Sequence, residues 1–129
     1  SLYATSQGKL LLASLSDSAV RRLIPEGKLQ AFTPHTLTDL PALLADLERI
    51  RTQGYAIENG EYKIGLRSVS APVYSRENDI AYIVSAVGLF RRVESDEFDL
   101  VIRQTCDDAR ALSLQNGGGG CGEKPCLPL

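Results

Sequence analysis

The start of the first predicted helix carries residue types that could bind an anion. Thr5 and Ser6 stand just before a short apolar run and predict a helix start. The first turn then contains Gln7, Gly8 and Lys9. Free amides and the positive dipole end favour an anion there, and Gly8 would allow a ligand to approach the backbone closely. The alternative is that Gly8 only permits tight packing against the sheet, and the residues alone leave both interpretations open.

Two carboxylates border a predicted tight turn at Asn59-Gly60. Glu58 and Glu61 could serve as a general acid and a general base. However, the pattern places no nucleophile, second base or metal ligand beside them. Because Asp and Glu are rarely buried unless they are paired, we expect both side chains to be solvated charges of the turn. The sequence therefore predicts no catalytic residue.

The remaining candidates for metal or redox chemistry are weak. His35 has no second His, Cys or carboxylate at ligand spacing, so a hydrogen bond is its expected role. Cys106 lies close to an apolar helical stripe and is expected to be a buried small residue. Cys121 and Cys126 follow four consecutive glycines in a tail that we expect to be flexible. They could pair or capture a metal, but two ligands make a weak site, and we predict no metal and no cofactor.

The elements that must position these residues are predicted by periodicity and turn signals. Two strands, from Tyr62 to Tyr74 and from Ile80 to Val87, are joined by a short polar turn and predict an antiparallel hairpin. Both faces of the second strand are largely apolar, so we expect it to be central in the sheet. Tyr55 to Ile57 predicts a further brief strand. The prediction is an α/β (α+β) fold with a central antiparallel sheet packed by helices.

Three further helices follow from caps and apolar stripes. One is capped by Ser16 and stops at Pro25, and one runs from Thr38 or Asp39 to Gly54. The latter has a leucine stripe that we assign to core packing. A long terminal helix starts near Ser95 and fades at Asn116, with an inward stripe made of Phe98, Val101, Ile102, Ala109 and Leu112.

Composition places the chain in a broad class. Its 129 residues fit one domain, and 43% hydrophobic content is enough for a sizeable core. The net charge of -2, with both signs intermixed, shows no electrostatic footprint for nucleic acid. No apolar run approaches the roughly 20 residues of a membrane helix, and the N-terminus lacks a signal-peptide pattern. We therefore expect a cytoplasmic location and no membrane partner.

Four blocks of the sequence occur in an order that resembles a known family. They are YATSQGKLLLASL, FTPHTLTDLPALLADLERIRTQGYA, EYKIGLRSVSAPVYS and VSAVG, followed by the terminal helix. This order resembles the C-terminal effector-binding domain of IclR-family bacterial transcription regulators. The resemblance implies a GAF-like fold that senses a small organic acid and assembles into dimers or tetramers. It also implies that operator DNA is bound only through an N-terminal winged helix-turn-helix domain, which these residues lack.

The same resemblance implies a ligand pocket on one face of the sheet. Ser6, Gln7 and Gly8 would present backbone amides to a ligand carboxylate, and Glu58 would occupy an acidic position facing the ligand. The other implied pocket residues are Leu66, Ser68, Ser85 and Val87. Leu66 and Ser68 share one side of a strand, as do Ser85 and Val87, so their spacing is compatible with a common pocket. Val87 stands where members that bind very small acids carry a polar residue, and Ser68 replaces a position that can be Cys, which favours a larger or less polar ligand.

The resemblance also implies where the domain begins and ends in the chain. It implies an effector domain at residues 1–115 that is truncated at its N-terminus, followed by a flexible tail at 116–129. The domain would then either lack part of its sheet or pair its sheet edge with another copy. Two alternatives are a ligand-free oligomerisation module and, less favoured, a GAF-like redox enzyme. The prediction is that the chain is not an enzyme, while the effector, the operator and the choice of repressor or activator are not predicted.

Overall fold

The computed structural model describes residues 1–117. Its elements confirm the predicted mixture of helices with an antiparallel sheet. In chain order they are α1 (Ser6–Ala13), α2 (Asp17–Leu23), α3 (Leu40–Gln53), β1 (Ala56–Asn59), β2 (Arg67–Tyr74), β3 (Ile80–Gly88) and α4 (Asp96–Gln115).

The sheet has the order β1-β2-β3, and both pairings are antiparallel. The predicted hairpin is therefore present, but within residues 1–117 β2 is the central strand, and the prediction that β3 is central is wrong. Both faces of β3 are apolar because helices lie on both sides of the sheet. Ile83 packs toward one helical layer, while Val84 and Ala86 pack toward the other. An apolar pattern on both faces of a strand thus indicates that both faces are covered by other elements. It does not indicate how many strands are paired with that strand.

The segment before β2 was predicted to be strand from Tyr62 and is instead a series of turns. Gly65 has a φ of 83°, in the left-handed region that favours glycine. The Leu66 amide donates to the Lys63 carbonyl at 3.1 Å, which closes a turn and delays the strand. Gly60, with a φ of 66°, donates its amide to the Leu66 carbonyl at 3.0 Å. The loop between β1 and β2 is therefore folded back on itself.

One face of the sheet is covered by α4. The helix begins after Ser95, whose hydroxyl accepts the Phe98 amide at 3.1 Å, as the sequence predicts. The apolar stripe of α4 packs against the side chains of β2 that point to this face. The cluster contains Tyr55, Val69, Ala71, Val73, Phe98, Ile102, Cys106 and Ala109. Cys106 is buried there, which confirms its predicted packing role.

The predicted inward stripe of α4 is wrong at its last residue. Leu112 is exposed, and Ser113 takes the inward position one residue later. The Ser113 hydroxyl donates to the Ala109 carbonyl at 2.9 Å and accepts the Tyr74 amide at 2.9 Å. A polar residue occupies this place because the end of β2 offers a backbone amide that needs an acceptor.

The opposite face of the sheet is covered by α1, and α3 packs against α1. The leucine stripe of α3 is buried as predicted, and α3 ends at Gly54, which has a φ of 88°. This second cluster comprises Leu10, Leu12, Ala13, Val20, Ile24, Leu40, Leu43, Leu44, Leu47, Ile50 and Ala56. The layer of α1 and α3 thus lies on the sheet face that carries the predicted pocket residues. In residues 1–117 no helix is long and apolar enough to cross a membrane.

Candidate functional site

Sheet register brings the predicted side chains of three strands into adjacent rows. Ser68 of β2 lies opposite Glu58 of β1 on one side and Val87 of β3 on the other. In the next row, Ser70 lies opposite Ser85. Since side chains alternate between faces along a strand, these residues all point to the face covered by α1.

Hydrogen bonds connect this polar patch to the helix start. The Ser6 hydroxyl lies 2.8 Å from the Ser68 hydroxyl and 2.7 Å from that of Ser70. Ser70 reaches Ser85 at 2.7 Å, and Ser68 donates to Glu58 Oε1 at 3.2 Å. Four of the eight predicted ligand residues are thereby joined in one chain, which also contains Ser70. We name this chain of Ser85, Ser70, Ser6, Ser68 and Glu58 the serine relay.

Ser70 was absent from the predicted site residues. It is completely buried and is the link between Ser6 and Ser85. Its position two residues after Ser68 puts it on the same strand face, so the period-2 rule applied one step further would have found it.

The expectation that Glu58 and Glu61 are solvated turn charges is wrong, because both are buried. Glu58 Oε2 accepts the Glu61 amide at 2.7 Å. Glu61 Oε2 in turn accepts the Asn59 amide at 2.9 Å. The turn therefore folds its carboxylates inward onto its own backbone amides. Burial is tolerated because each carboxylate is supplied with donors.

A buried ion cluster lies behind this turn. Lys9 of α1 is 1% exposed, and its Nζ is 2.7 Å from Asp46 Oδ2 and 3.1 Å from both oxygens of Glu61. Burial raises the pKa of Glu61 above its ordinary value, although the charge of Lys9 and the Asn59 amide act to lower that pKa. The cluster ties α1 and α3 to the loop that positions Glu58.

The raised pKa of Glu61 predicts a pH dependence of stability. Because its pKa is higher in the folded state, Glu61 contributes stability that is fully present below the unfolded pKa, near 4.5, and is lost as the pH rises through the folded pKa. Relative to Glu61→Gln, we expect the wild-type chain to lose free energy of unfolding as the pH increases over this window. Urea unfolding of both proteins at several pH values measures the difference. If the free energy of unfolding of wild type instead rises relative to that of Glu61→Gln as the pH increases, the effect of Lys9 on the pKa of Glu61 outweighs the effect of burial.

The helix start lies where the sequence predicts it, but the amide of Gly8 is not free for a ligand. Thr5 caps α1, and its hydroxyl accepts the Gly8 amide at 3.1 Å, so that amide is already satisfied. A Cβ on Gly8 would lie 2.5 Å from the carbonyl oxygens of Ser1 and Leu2. Gly8 therefore permits close packing of the N-terminal segment against α1. The sequence had offered tight packing against the sheet as one of two expectations, and the close neighbours of Gly8 are the N-terminal residues instead. Gln7, whose amide the resemblance assigns to a ligand, is half-buried.

Gly8→Ala tests this close approach. Alanine improves helix propensity by about 1 kcal/mol, yet overpacking against rigid backbone costs about 1 to 3 kcal/mol, so we expect a net loss of stability. The matched background is a chain that lacks Ser1 and Leu2, in which the clash is removed and alanine is expected to stabilise. Thermal unfolding of the four proteins gives the comparison. Stabilisation by alanine in both backgrounds would contradict the contact.

The remaining predicted residues lie at the open side of the patch. Ser85 and Val87 are exposed on β3, and Leu66 is half-buried just before β2. The patch is thus covered by α1 on one side and open along β3. A separate cavity of about 490 Å³ lies beside the ion cluster and is lined by residues that include Lys9, His35, Asp46, Arg49, Asn59 and Glu61. None of the eight predicted residues lines this cavity.

No metal centre is found in the part of the chain that the structure describes, because it contains no group of three or more His, Cys, Asp or Glu that could hold an ion. Cys121 and Cys126 lie outside the described residues. The predicted boundary between a domain at 1–115 and a tail at 116–129 likewise depends on residues that lie largely outside them.

The sequence and the fold match a known class of protein. Residues 1–114 match the family described as "Bacterial transcriptional regulator IclR C-terminal", and the chain belongs to this family. The HTH-type transcriptional repressor AllR of Escherichia coli strain K12 is 34% identical over 116 residues, which cover 90% of this chain and 43% of AllR. AllR of Salmonella typhi is 34% identical over 118 residues, covering 88% of this chain and 43% of that protein. The chain thus spans less than half the length of these relatives.

Solved structures support the same assignment. The C-terminal domain of the Escherichia coli transcriptional regulator KdgR is 30% identical with a TM-score of 0.78, covering 90% of this chain and 71% of that one. The inducer binding domain of PobR from Acinetobacter, a double mutant in complex with 3-hydroxybenzoic acid, is 25% identical with a TM-score of 0.78, covering 87% and 65%. The family consists of transcription regulators and not of enzymes, which agrees with the prediction.

Proposed function

We propose that this chain is the effector-binding part of an IclR-type DNA-binding regulator and that it binds a small organic acid at the polar patch. The ligand residues would be Ser6, Gln7, Glu58, Leu66, Ser68, Ser85 and Val87. Gly8 is left out of the proposed contacts because its amide is already bonded to Thr5 and its Cα faces the N-terminal segment. The regulator would act in the cytoplasm and contact operator DNA through a winged helix-turn-helix domain outside these residues. Ligand binding would favour one arrangement of subunits over another, as differential affinity for two states requires.

The observation that carries the proposal is the serine relay itself. Four hydroxyl groups and a carboxylate converge on one face of a sheet whose other face is an apolar core. A sheet face that served packing alone would be expected to carry apolar residues there as well. The relay also reaches the surface at Ser85, so a ligand has access to it. The acid bound by PobR supports the choice of organic acids as the ligand class.

Thermal unfolding against a panel of small organic, sugar and aromatic acids tests this proposal. A ligand at 100 times its dissociation constant adds roughly 2.7 kcal/mol to the free energy of unfolding. We expect a clear shift for one chemical class and loss of that shift in Ser85→Phe, which fills the open side of the patch. The matched control is Ser18→Phe, an equal change at an exposed position of α2, which is expected to keep the shift.

Two results would contradict the proposal. A shift that persists in Ser85→Phe would place the ligand elsewhere, for example in the cavity beside Lys9. No shift with any acid, in a folded protein, would favour the ligand-free oligomerisation module. The redox alternative is disfavoured because Cys106, the cysteine within residues 1–117, is buried.

Self-association is part of the same proposal. Within the described residues, β3 pairs with β2 alone, so its other edge has unpaired backbone groups. Tyr82, Val87 and Leu89 are exposed along and just after this strand. We expect sedimentation velocity to show a dimer or tetramer whose population rises with concentration. A monomer at all concentrations would contradict this part of the proposal without affecting ligand binding.

A further inference from the structure

The serine relay has a definite hydrogen-bond polarity. Each serine hydroxyl has a single proton to donate and lone pairs with which to accept. The distances leave the donor open at three of the four links, because either oxygen could donate. The fourth link ends on a carboxylate, and an ionised carboxylate only accepts. That end determines the direction of the whole chain.

The carboxylate of Glu58 sets the donor and the acceptor at each link of the relay in turn. Ser68 donates its proton to Glu58, so at 2.8 Å from Ser6 it is the acceptor. Ser6 has then used its proton and must accept from Ser70 at 2.7 Å. Ser70 must likewise accept from Ser85 at 2.7 Å.

We infer that Ser85, at the open end of the relay, presents only oxygen lone pairs to the surface because its proton is directed inward to Ser70. A group placed next to the Ser85 hydroxyl must therefore donate a hydrogen bond. This inference rests on the proposed function and narrows its ligand class to acids that carry a hydroxyl or amide donor beside the relay. A ligand carboxylate or keto oxygen next to Ser85 would face lone pairs and would be disfavoured.

Burial makes this polarity persistent. Ser6, Ser68, Ser70 and Glu58 are all buried, and each hydroxyl has its proton committed to a neighbour. Reversing the relay would require all four protons to turn, and would leave Ser68 without a donor to offer the buried carboxylate. An unsatisfied buried polar group costs about 1 to 3 kcal/mol, so ligand binding at Ser85 alone has little means of reversing the chain.

Matched pairs of acids measure the expected preference. The probes are lactate against pyruvate, 2-hydroxybutyrate against 2-oxobutyrate, and 3-hydroxybenzoate against 3-formylbenzoate, titrated by calorimetry into the full chain. For the pair that binds, we expect the hydroxy acid to have about threefold to tenfold higher affinity, the range of one hydrogen bond. An equal or higher affinity for the oxo partner overturns the inference while leaving the proposed function intact.

Glu58→Gln is expected to reverse the preference. The backbone amide of Glu61 donates to Oε2 of Glu58, so the amide oxygen of the glutamine belongs there. Its nitrogen then faces Ser68 and donates to it. Every hydroxyl in the relay is free to turn outward, and the Ser85 hydroxyl becomes a donor. The ratio of hydroxy-acid affinity to oxo-acid affinity should fall below that of wild type by about tenfold or more. The hydroxy acid loses its hydrogen bond to Ser85, and the oxo acid gains one. An unchanged ratio in a variant that binds overturns the inference.

Ser70→Ala is a second variant, which breaks the serine relay in its middle. It removes the link between Ser6 and Ser85 and leaves Glu58 in place. Ser85 can then turn freely, so both members of a pair should bind with affinities within about twofold of each other. Circular dichroism and melting of each variant establish that it is folded. A full wild-type preference in folded Ser70→Ala overturns the inference, because the relay would not be its cause.

A direct measurement separates failure of the inference from failure of the proposed function. Neutron diffraction from deuterated crystals of the ligand-free protein locates the hydroxyl deuterons. We expect the deuteron between Ser85 and Ser70 to be bonded to the Ser85 oxygen. A deuteron bonded to Ser70 and directed at Ser85 overturns the inference whatever binds. If no acid binds but the deuterons have the expected order, the polarity stands and the proposed acid-binding function fails.

Discussion

Replacing Lys9 with methionine is expected to lower the free energy of unfolding by about 3 to 5 kcal/mol, because removal of one partner from a buried ion cluster leaves uncompensated charge. Lys9 Nζ contacts Asp46 and both oxygens of Glu61 from a position that is 1% exposed. Methionine retains most of the side-chain volume, so the loss is mainly electrostatic. Without Lys9 the pKa of Glu61 is expected to rise further, since the lysine charge acts to lower it. Urea unfolding at pH 7 gives the change in free energy.

Arg49→Met provides the matched control. Arg49 Nη2 contacts the other oxygen of the same Asp46 at 2.9 Å, but its side chain is 71% exposed. Both variants lose one positive charge and one bond to Asp46, and they differ in burial. Exposed ion pairs contribute about 0 to 1 kcal/mol, so Arg49→Met should unfold close to wild type. Equal destabilisation by the two changes would show that the contact to Asp46, and not burial, sets the effect.

Element ends were predictable from the sequence because their signals are local. Ser16 and Ser95 accept amides three residues later, and Gly54 adopts the left-handed conformation that ends α3. The buried stripe of α3 was predictable for the same reason, since helical spacing alone defines it. The family resemblance brought together Ser6, Glu58, Ser68 and Ser85, which the structure links by hydrogen bonds through Ser70.

The features that were missed depend on residues far apart in the chain. The burial of Glu61 is made tolerable by Lys9, which is 52 positions away, and no local pattern reports that pairing. The place of β3 in the sheet was misjudged because an apolar pattern records which faces are covered, whereas strand order depends on hydrogen-bond partners. The turns before β2 could have been anticipated at Gly65, whose positive φ interrupts an otherwise strand-like segment.

One face of the sheet packs against the apolar core and the other carries the proposed ligand patch, and Phe98→Ala tests whether the two faces act independently. Phe98 is 0% exposed and lies in the apolar cluster between α4 and β2, where its ring meets that of Phe90 edge to face at 5.1 Å. Truncation of a buried phenylalanine costs about 3 to 5 kcal/mol, through lost transfer energy and a cavity. Urea unfolding measures this loss.

Leu100→Ala is the control for this second change. Leu100 lies two residues further along α4 and is 63% exposed, so its truncation should alter the free energy of unfolding by about 0.5 kcal/mol or less. The serine relay lies on the other side of the sheet from Phe98. At temperatures where Phe98→Ala remains folded, its affinity for an organic acid should therefore equal that of wild type. A folded Phe98→Ala protein with weakened affinity would show that the apolar face also shapes the pocket, because β2 carries both the core residues and the serines that the ligand would contact.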